Sequence, residues 1–159
     1  MTKKEKYHST TELSRLIQSH FSWGWWMLFA FLTLGFLLEA LHGFKAGFYL
    51  DASSEARRLM WTLAHAHGTL LAVVHLMFAT FLNTRFEQPH VRMSLASRSL
   101  KAGSIILPAG FFFAGFFIYD GDPGLFIYLA PVGALLLMFA VFLIARSALA
   151  SNVEEEQED

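Results

Sequence analysis

Four long apolar runs, parted by short polar segments, constrain this chain more than any other feature. They cover about Phe21–Phe44, Leu59–Leu82, Ala102–Tyr119 and Leu125–Ala145. A bilayer core of about 30 Å takes roughly 20 helical residues at about 1.5 Å each, so every run meets or approaches a membrane span. In hydrocarbon the backbone must satisfy its own polar groups, and runs of this length do so as helices. The expected fold is an all-α integral membrane four-helix bundle, a single domain over residues 1–159. Residues 1–20 are expected to be a cytoplasmic or interfacial segment, and 150–159 an acidic tail. The first run is too long, and too far behind the start, for a cleaved signal peptide. Pro108 predicts a kink in the third helix, and Pro131 lies near the start of the fourth.

Composition agrees. Hydrophobic residues make up 55% and charged residues 16%, against about 45–50% and 25% in soluble domains. That argues against a soluble enzyme, and a net charge of −1 gives no field for nucleic acid. With no cysteine, disulfides, thiolate metal ligands and a thiol nucleophile are excluded.

Lys3, Lys4, Lys6, Arg15, Arg85, Arg92, Arg98, Lys101 and Arg146 fall on the side of the termini, and only Lys45, Arg57 and Arg58 on the other. The positive-inside rule then places both termini in the cytoplasm, N-in and C-in. Trp23, Trp25 and Trp26 are expected at the inner interface, and Tyr49, Trp61, Tyr119 and Tyr128 near the outer one. Residues 10–21 read either as an interfacial amphipathic helix, with Leu13, Leu16, Ile17 and Phe21 on one side, or as an extension of the first crossing.

Four of seven histidines lie at membrane depth: His42, His65, His67 and His75. His8, His20 and His90 read as residues of polar flanks. An ionisable group inside a bilayer is costly and marks a functional site by default. At 100° per residue, Ala64, Gly68 and Ala72 form a small-residue stripe for close helix approach. His75 sits on that packed face, with His65 and His67 flanking it and Leu63, Leu70, Val74, Met77 and Phe81 opposite. Glu39 and His42 form a Glu-x-x-His pair, the spacing that offers two ligands from one helix face. Antiparallel packing brings Glu39, His42, His65 and His67 to a similar depth near the outer end. Imidazole suits iron, zinc and copper. Asp120 and Asp122, in a Gly- and Pro-rich loop, read as turn chemistry rather than a cation site.

The stretch RRLMWTLAHAHGTLLAVVHLMFA, residues 57–79, resembles the second helix of haem-copper oxidase subunit I, through His67, Gly68 and Thr69. The preceding LGFLLEALHGFKAGFYLD resembles the end of that family's first helix. The resemblance implies low-spin haem on His67, with Gly68 letting a flat porphyrin approach the backbone. Here the third and fourth crossings lack histidine. A second axial ligand would come from His42, His65, another copy of the chain or, less readily, Met138.

The expected function is a small membrane protein that binds haem, or copper, zinc or iron, near the outer face for electron transfer or metal handling. The cofactor-binding candidates are His67, His42, His65 and His75; the metal-ligand candidates are His42, His65, His67 and Glu39. Catalysis by the isolated chain is not expected. The alternatives are a non-catalytic scaffold or accessory subunit with a structural His/Glu network, and a proton-handling transporter component using Glu39 and His75. The expected surroundings are the lipid bilayer of a bacterial-type inner or plasma membrane, with a homodimer or larger membrane complex as partners and no nucleic acid.

Overall fold

The computed structural model describes the backbone of residues 3–51, 54–85 and 91–155, and the side chains of 11–51, 54–85 and 92–149. The side chain of His8, the whole of His90 and the end of the acidic tail lie outside these. The described chain is helical: α1 (Lys3–Gly43), a single turn α2 (Gly47–Leu50), α3 (Glu55–Arg85), α4 (Val91–Phe116), a 3-10 turn (Leu125–Tyr128) and α5 (Leu129–Glu155). Among the described residues, four segments are long and apolar enough to cross a membrane: Thr11–Gly43, Glu55–Arg85, Arg92–Phe116 and Leu125–Leu149.

The bundle is open. α1 packs on α3, α3 on α4 and α4 on α5, so α3 and α4 are central and α1 and α5 are the outer members. Large apolar side chains accordingly face outward along the outer helices, including Trp25, Trp26, Phe29, Phe36, Leu135, Met138 and Phe142. In water that surface would be untenable; in lipid it is the expected one.

The packed faces follow alternating three- and four-residue steps. On α1 the series is Leu13, Ile17, His20, Gly24, Met27, Phe31, Leu34 and Leu38, all buried or half-buried. On α3 it is Trp61, Ala64, Gly68, Leu71, His75, Phe78 and Leu82, every one buried. On α4 it is Met93, Ser97, Leu100, Ser104, Leu107, Phe111 and Ala114, buried except for half-buried Phe111. This 3.5-residue spacing is the knobs-into-holes seam of coiled helices. Small residues let the helices close up. A Cβ on Gly68 would lie 2.3 Å from the Phe31 ring, and one on Gly133 2.6 Å from the backbone of Leu107.

One open alternative is decided and two sequence expectations change. Residues 10–21 continue α1 without a break, and Leu13 joins a core with Phe78, Leu82, Met93, Leu100 and Ala140 at the end carrying the termini. α4 begins at Val91 rather than near Ala102, so Arg92, Arg98 and Lys101 lie on a helix instead of in a basic loop. Tyr49 and Trp61 leave the aromatic belt and stack in a core at the opposite end, with ring centroids 6.2 Å apart. Trp61 Nε1 donates to the Phe112 carbonyl at 3.1 Å, which removes the reason for its indole to sit at the water interface. Tyr119 and Tyr128 do project outward. Asp120 and Gly121, at φ 52° and 86°, form the tight turn expected of their loop, closed by paired Tyr119 and Asp122 backbone bonds.

Filling a helix contact made against backbone is costly. Gly133→Leu should lower stability by about 1–3 kcal/mol, the usual range for overpacking, with α5 detaching first. Reversible unfolding in bicelles measures it, with the outward-facing Leu135→Ala as a near-neutral control.

Candidate functional site

The most polar buried feature joins α1, α3 and α4 near the end that carries the termini. His20 and His75 are both fully buried. Their Nδ1 atoms lie 2.7 Å apart, and the rings are stacked with centroids at 4.9 Å. His20 Nε2 meets Ser97 Oγ at 2.7 Å, and His75 Nε2 meets Ser104 Oγ at 2.9 Å. The edge of Phe78 closes one side, its ring centroid 4.8 Å from that of His20. Lys101 Nζ donates to Ser19 Oγ alongside. Each ring occupies the seam of its helix, which is why two histidines from separate helices arrive face to face.

Hydrogen-bond accounting fixes the protons. Ser104 spends its hydroxyl hydrogen on the Lys101 carbonyl, at 2.9 Å. Its oxygen therefore accepts from His75 Nε2–H. A neutral imidazole donates from one nitrogen and accepts at the other, so His75 Nδ1 is the acceptor. His20 Nδ1–H must then be the donor, leaving His20 Nε2 to accept from the Ser97 hydroxyl. The chain runs Ser97 → His20 → His75 → Ser104 → Lys101 carbonyl, with both rings neutral, of opposite tautomer and fully satisfied. A further proton on His75 would fall on Nδ1 and oppose two donors across the 2.7 Å contact, whereas one on His20 would fall on Nε2 and turn the Ser97 hydroxyl from donor to acceptor.

Trp23 completes the group. Its Nε1–H points at Ser104 Oγ from 3.4 Å, long beside the ordinary 2.9–3.0 Å. Trp23 thus turns inward, whereas Trp25 and Trp26 stay on the lipid-facing surface.

The residues singled out near the other end are dispersed. Glu39, His42 and His65 line one cavity of about 280 Å³ with Gly35, Tyr49 and Thr62. His65 donates from Nδ1 to the Phe31 carbonyl at 2.7 Å, which leaves its Nε2 as an acceptor. His67 lies on a different face of α3. Its Nδ1 donates to the Leu63 carbonyl of its own helix at 2.8 Å, and its ring packs on Phe111 at 5.1 Å. The space over Gly68 is taken by the Phe31 ring. The Thr69 hydroxyl is buried without a hydrogen-bond partner among the described residues, and Met138 faces outward. Among the described residues, no three His, Asp or Glu side chains stand together as a group able to hold a metal ion.

His75 was readable from the small-residue stripe of α3. His20, Ser97 and Lys101 were not, because hydropathy assigned them to flanks. The seam spacing Leu13, Ile17, His20, Gly24 was the signal that could have found His20.

No protein-family model, curated protein or solved structure matches the chain, so the reading rests on its own geometry.

The tautomers are directly observable. Solid-state NMR of the ¹⁵N-histidine-labelled protein in lipid should show His20 protonated on Nδ1 and His75 on Nε2, both neutral at pH 7. Identical tautomers, or an imidazolium at either position, would contradict the chain.

Proposed function

We propose that the protein handles protons within the membrane: a one-sided relay that exchanges a proton between the face carrying the termini and the bilayer interior. The observation that carries this is the His20–His75 hydrogen bond, flanked by a serine at each end. If a proton reaches His20 Nε2, the Nδ1 proton of His20 passes to His75 Nδ1, and His75 Nε2 releases its own toward Ser104. One proton enters, one leaves, and both rings exchange tautomers. The reverse order works equally. Imidazole chains suit this because each ring both accepts and donates.

The polar path ends at Ser104. Beyond it lie Ile105, Pro108, Ala109 and Phe112, in an apolar groove. The relay therefore serves an acceptor or donor inside the membrane rather than conducting across it. With the termini in the cytoplasm, as the Lys and Arg distribution favours, the protons exchange with the cytoplasmic side.

Hydrogen exchange separates a relay from a structural bond. In a relay, the His75 Nε2–H exchanges with water through Ser97 and His20, so Ser97→Ala should slow it at least tenfold. Were the pair only a structural brace, Ser97→Ala would loosen it and exchange would be unchanged or faster. Imidazole ¹⁵N–H exchange in lipid reads the sign.

A second reading is supported by the cavity of Glu39, His42 and His65. A histidine held by Nδ1–H to a backbone carbonyl, with Nε2 left as the acceptor, is oriented as metal-ligating histidines are. The 280 Å³ cavity falls below the roughly 300–1,000 Å³ of organic-ligand pockets. It suits an iron, copper or zinc ion better than haem, and ligation requires Glu39 and His42, both exposed, to turn inward. On this reading the purified protein carries stoichiometric metal that His65→Ala removes and His67→Ala retains. Metal analysis with a reduced-minus-oxidised visible spectrum decides. Haem bands lost in His67→Ala would return the assignment to His67, and neither metal nor colour in folded protein would end it.

A further inference from the structure

Between α1 and α4 a lateral groove of about 380 Å³ opens from the relay toward the middle of the membrane. Its walls are apolar and aromatic, among them Trp23, Phe31, Phe112 and Phe113, with small Ala30 and Ala109 making the room. From Trp23 to Leu34 it follows α1 for twelve residues, about 16 Å by helical rise. The volume falls within the roughly 300–1,000 Å³ of small-molecule pockets.

The polar groups gather at one end. Trp23 Nε1–H is only loosely engaged, at 3.4 Å from Ser104 Oγ. That oxygen already gives its hydrogen to Lys101 and accepts from His75. Pro108 adds an acceptor: it brings no N–H to the Ser104 carbonyl, its ordinary helical partner. The groove thus offers one indole N–H and one carbonyl left without its proline partner beside a proton chain, and apolar and aromatic surface elsewhere. A phospholipid headgroup, charged and strongly hydrated, finds no countercharge among these lining residues. A bare acyl chain would leave the indole N–H as poorly met as before.

We propose that this groove binds a lipid-soluble quinone: a flat carbonyl-bearing ring between the aromatic walls, its carbonyl oxygen accepting from Trp23 Nε1–H, its apolar tail running toward the bilayer centre. The proposal is one of binding alone and carries no electron transfer. It rests on the relay reading only for what that binding would serve, since it seats a molecule with proton-exchanging oxygens beside His75. The binding itself does not depend on that reading.

The test uses the full chain in lipid nanodiscs, with a decyl-substituted benzoquinone as probe and decylbenzene as the carbonyl-free control. Equilibrium binding above empty nanodiscs should saturate near one quinone per chain, with decylbenzene at least tenfold weaker. Ala109→Leu and Ala30→Leu fill the groove from opposite walls, and each should weaken quinone binding at least tenfold. Trp23→Phe keeps the ring, removes the donor and should weaken quinone binding severalfold while leaving decylbenzene unchanged. Ser97→Ala breaks the relay and should leave quinone affinity within twofold, so the two proposals fail separately. Equal binding of both probes would reduce the groove to an acyl-chain crevice and overturn the proposal. So would no binding above empty nanodiscs, or unchanged binding when both filling variants are folded.

Discussion

The hydrogen bond between the Nδ1 atoms of His20 and His75 sets the terms for much of this structure. In water either ring would exchange its partner for solvent at little cost. Both rings are fully buried, among Phe78, Trp23 and the α4 serines, and a lost partner there leaves a buried polar atom worth about 1–3 kcal/mol. The bond therefore fixes the rotation of α1 against α3, and the serines on either ring fix α4 against both. Apolar packing alone gives helices in lipid little reason to choose one face over another, since the tails are as apolar as leucine. Directional bonds and small residues supply that choice. α1, α3 and α4 are joined by bonds of this kind. α5 is held by packing, with Gly103 and Gly110 of α4 and its own Gly133 letting the two helices close up.

The far end is held differently. Arg57 Nε donates to the Gly115 carbonyl at 3.1 Å, and its guanidinium lies over the Trp61 ring. It also reaches the Phe48 carbonyl at 2.8 Å, while Arg58 binds the Tyr49 carbonyl at 2.9 Å. These cations satisfy carbonyls at the C-terminal ends of α4 and α2, where the helix dipole favours positive charge. Trp61 and Tyr49 are drawn into the same knot. One end of the bundle is thus a buried histidine–serine chain and the other a charged clasp on backbone oxygens.

The crossings were legible in the sequence because length and hydropathy alone define them. So was the α3 face, where Ala64, Gly68, Ala72 and Ala79 are too small to be explained by lipid contact. The partner of His75 was harder to see. Hydropathy averages over all faces of a helix, so His20, beside Gln18 and Ser19, is counted as flank although it points into the seam. The same averaging took Arg92, Arg98 and Lys101 for a loop. On the helix, Arg92 and Arg98 face outward while Met93, Ser97 and Leu100 face in. Periodicity at 3.5 residues carries the missing information, and it runs unbroken from Leu13 to Leu38. At the other end, proximity in depth suggested that His65 and His67 act together. They are two residues apart, however, and a helix turns about 200° over that interval, which sends them to different neighbours.

The seam also explains why the groove lies where it does. α1 and α4 each pack on α3 but scarcely on each other, so a gap opens between them wherever both present small side chains. Ala30 and Ala109 do so, and Pro108 lines the gap beside Ala109. The same residues would be expected to shape a crevice for lipid tails and nothing more. What sets this crevice apart is its end wall, where Ser104 is shared between the histidine chain and Trp23. A hydroxyl that gives its hydrogen to one partner and accepts from another takes up a proton only by handing one on. An acceptor seated against Trp23 and the Ser104 carbonyl is within reach of that hand-over, and the chain has no other polar exit into the groove. On this reading, proton relay and groove are two halves of one device, and α3 is the wall they share.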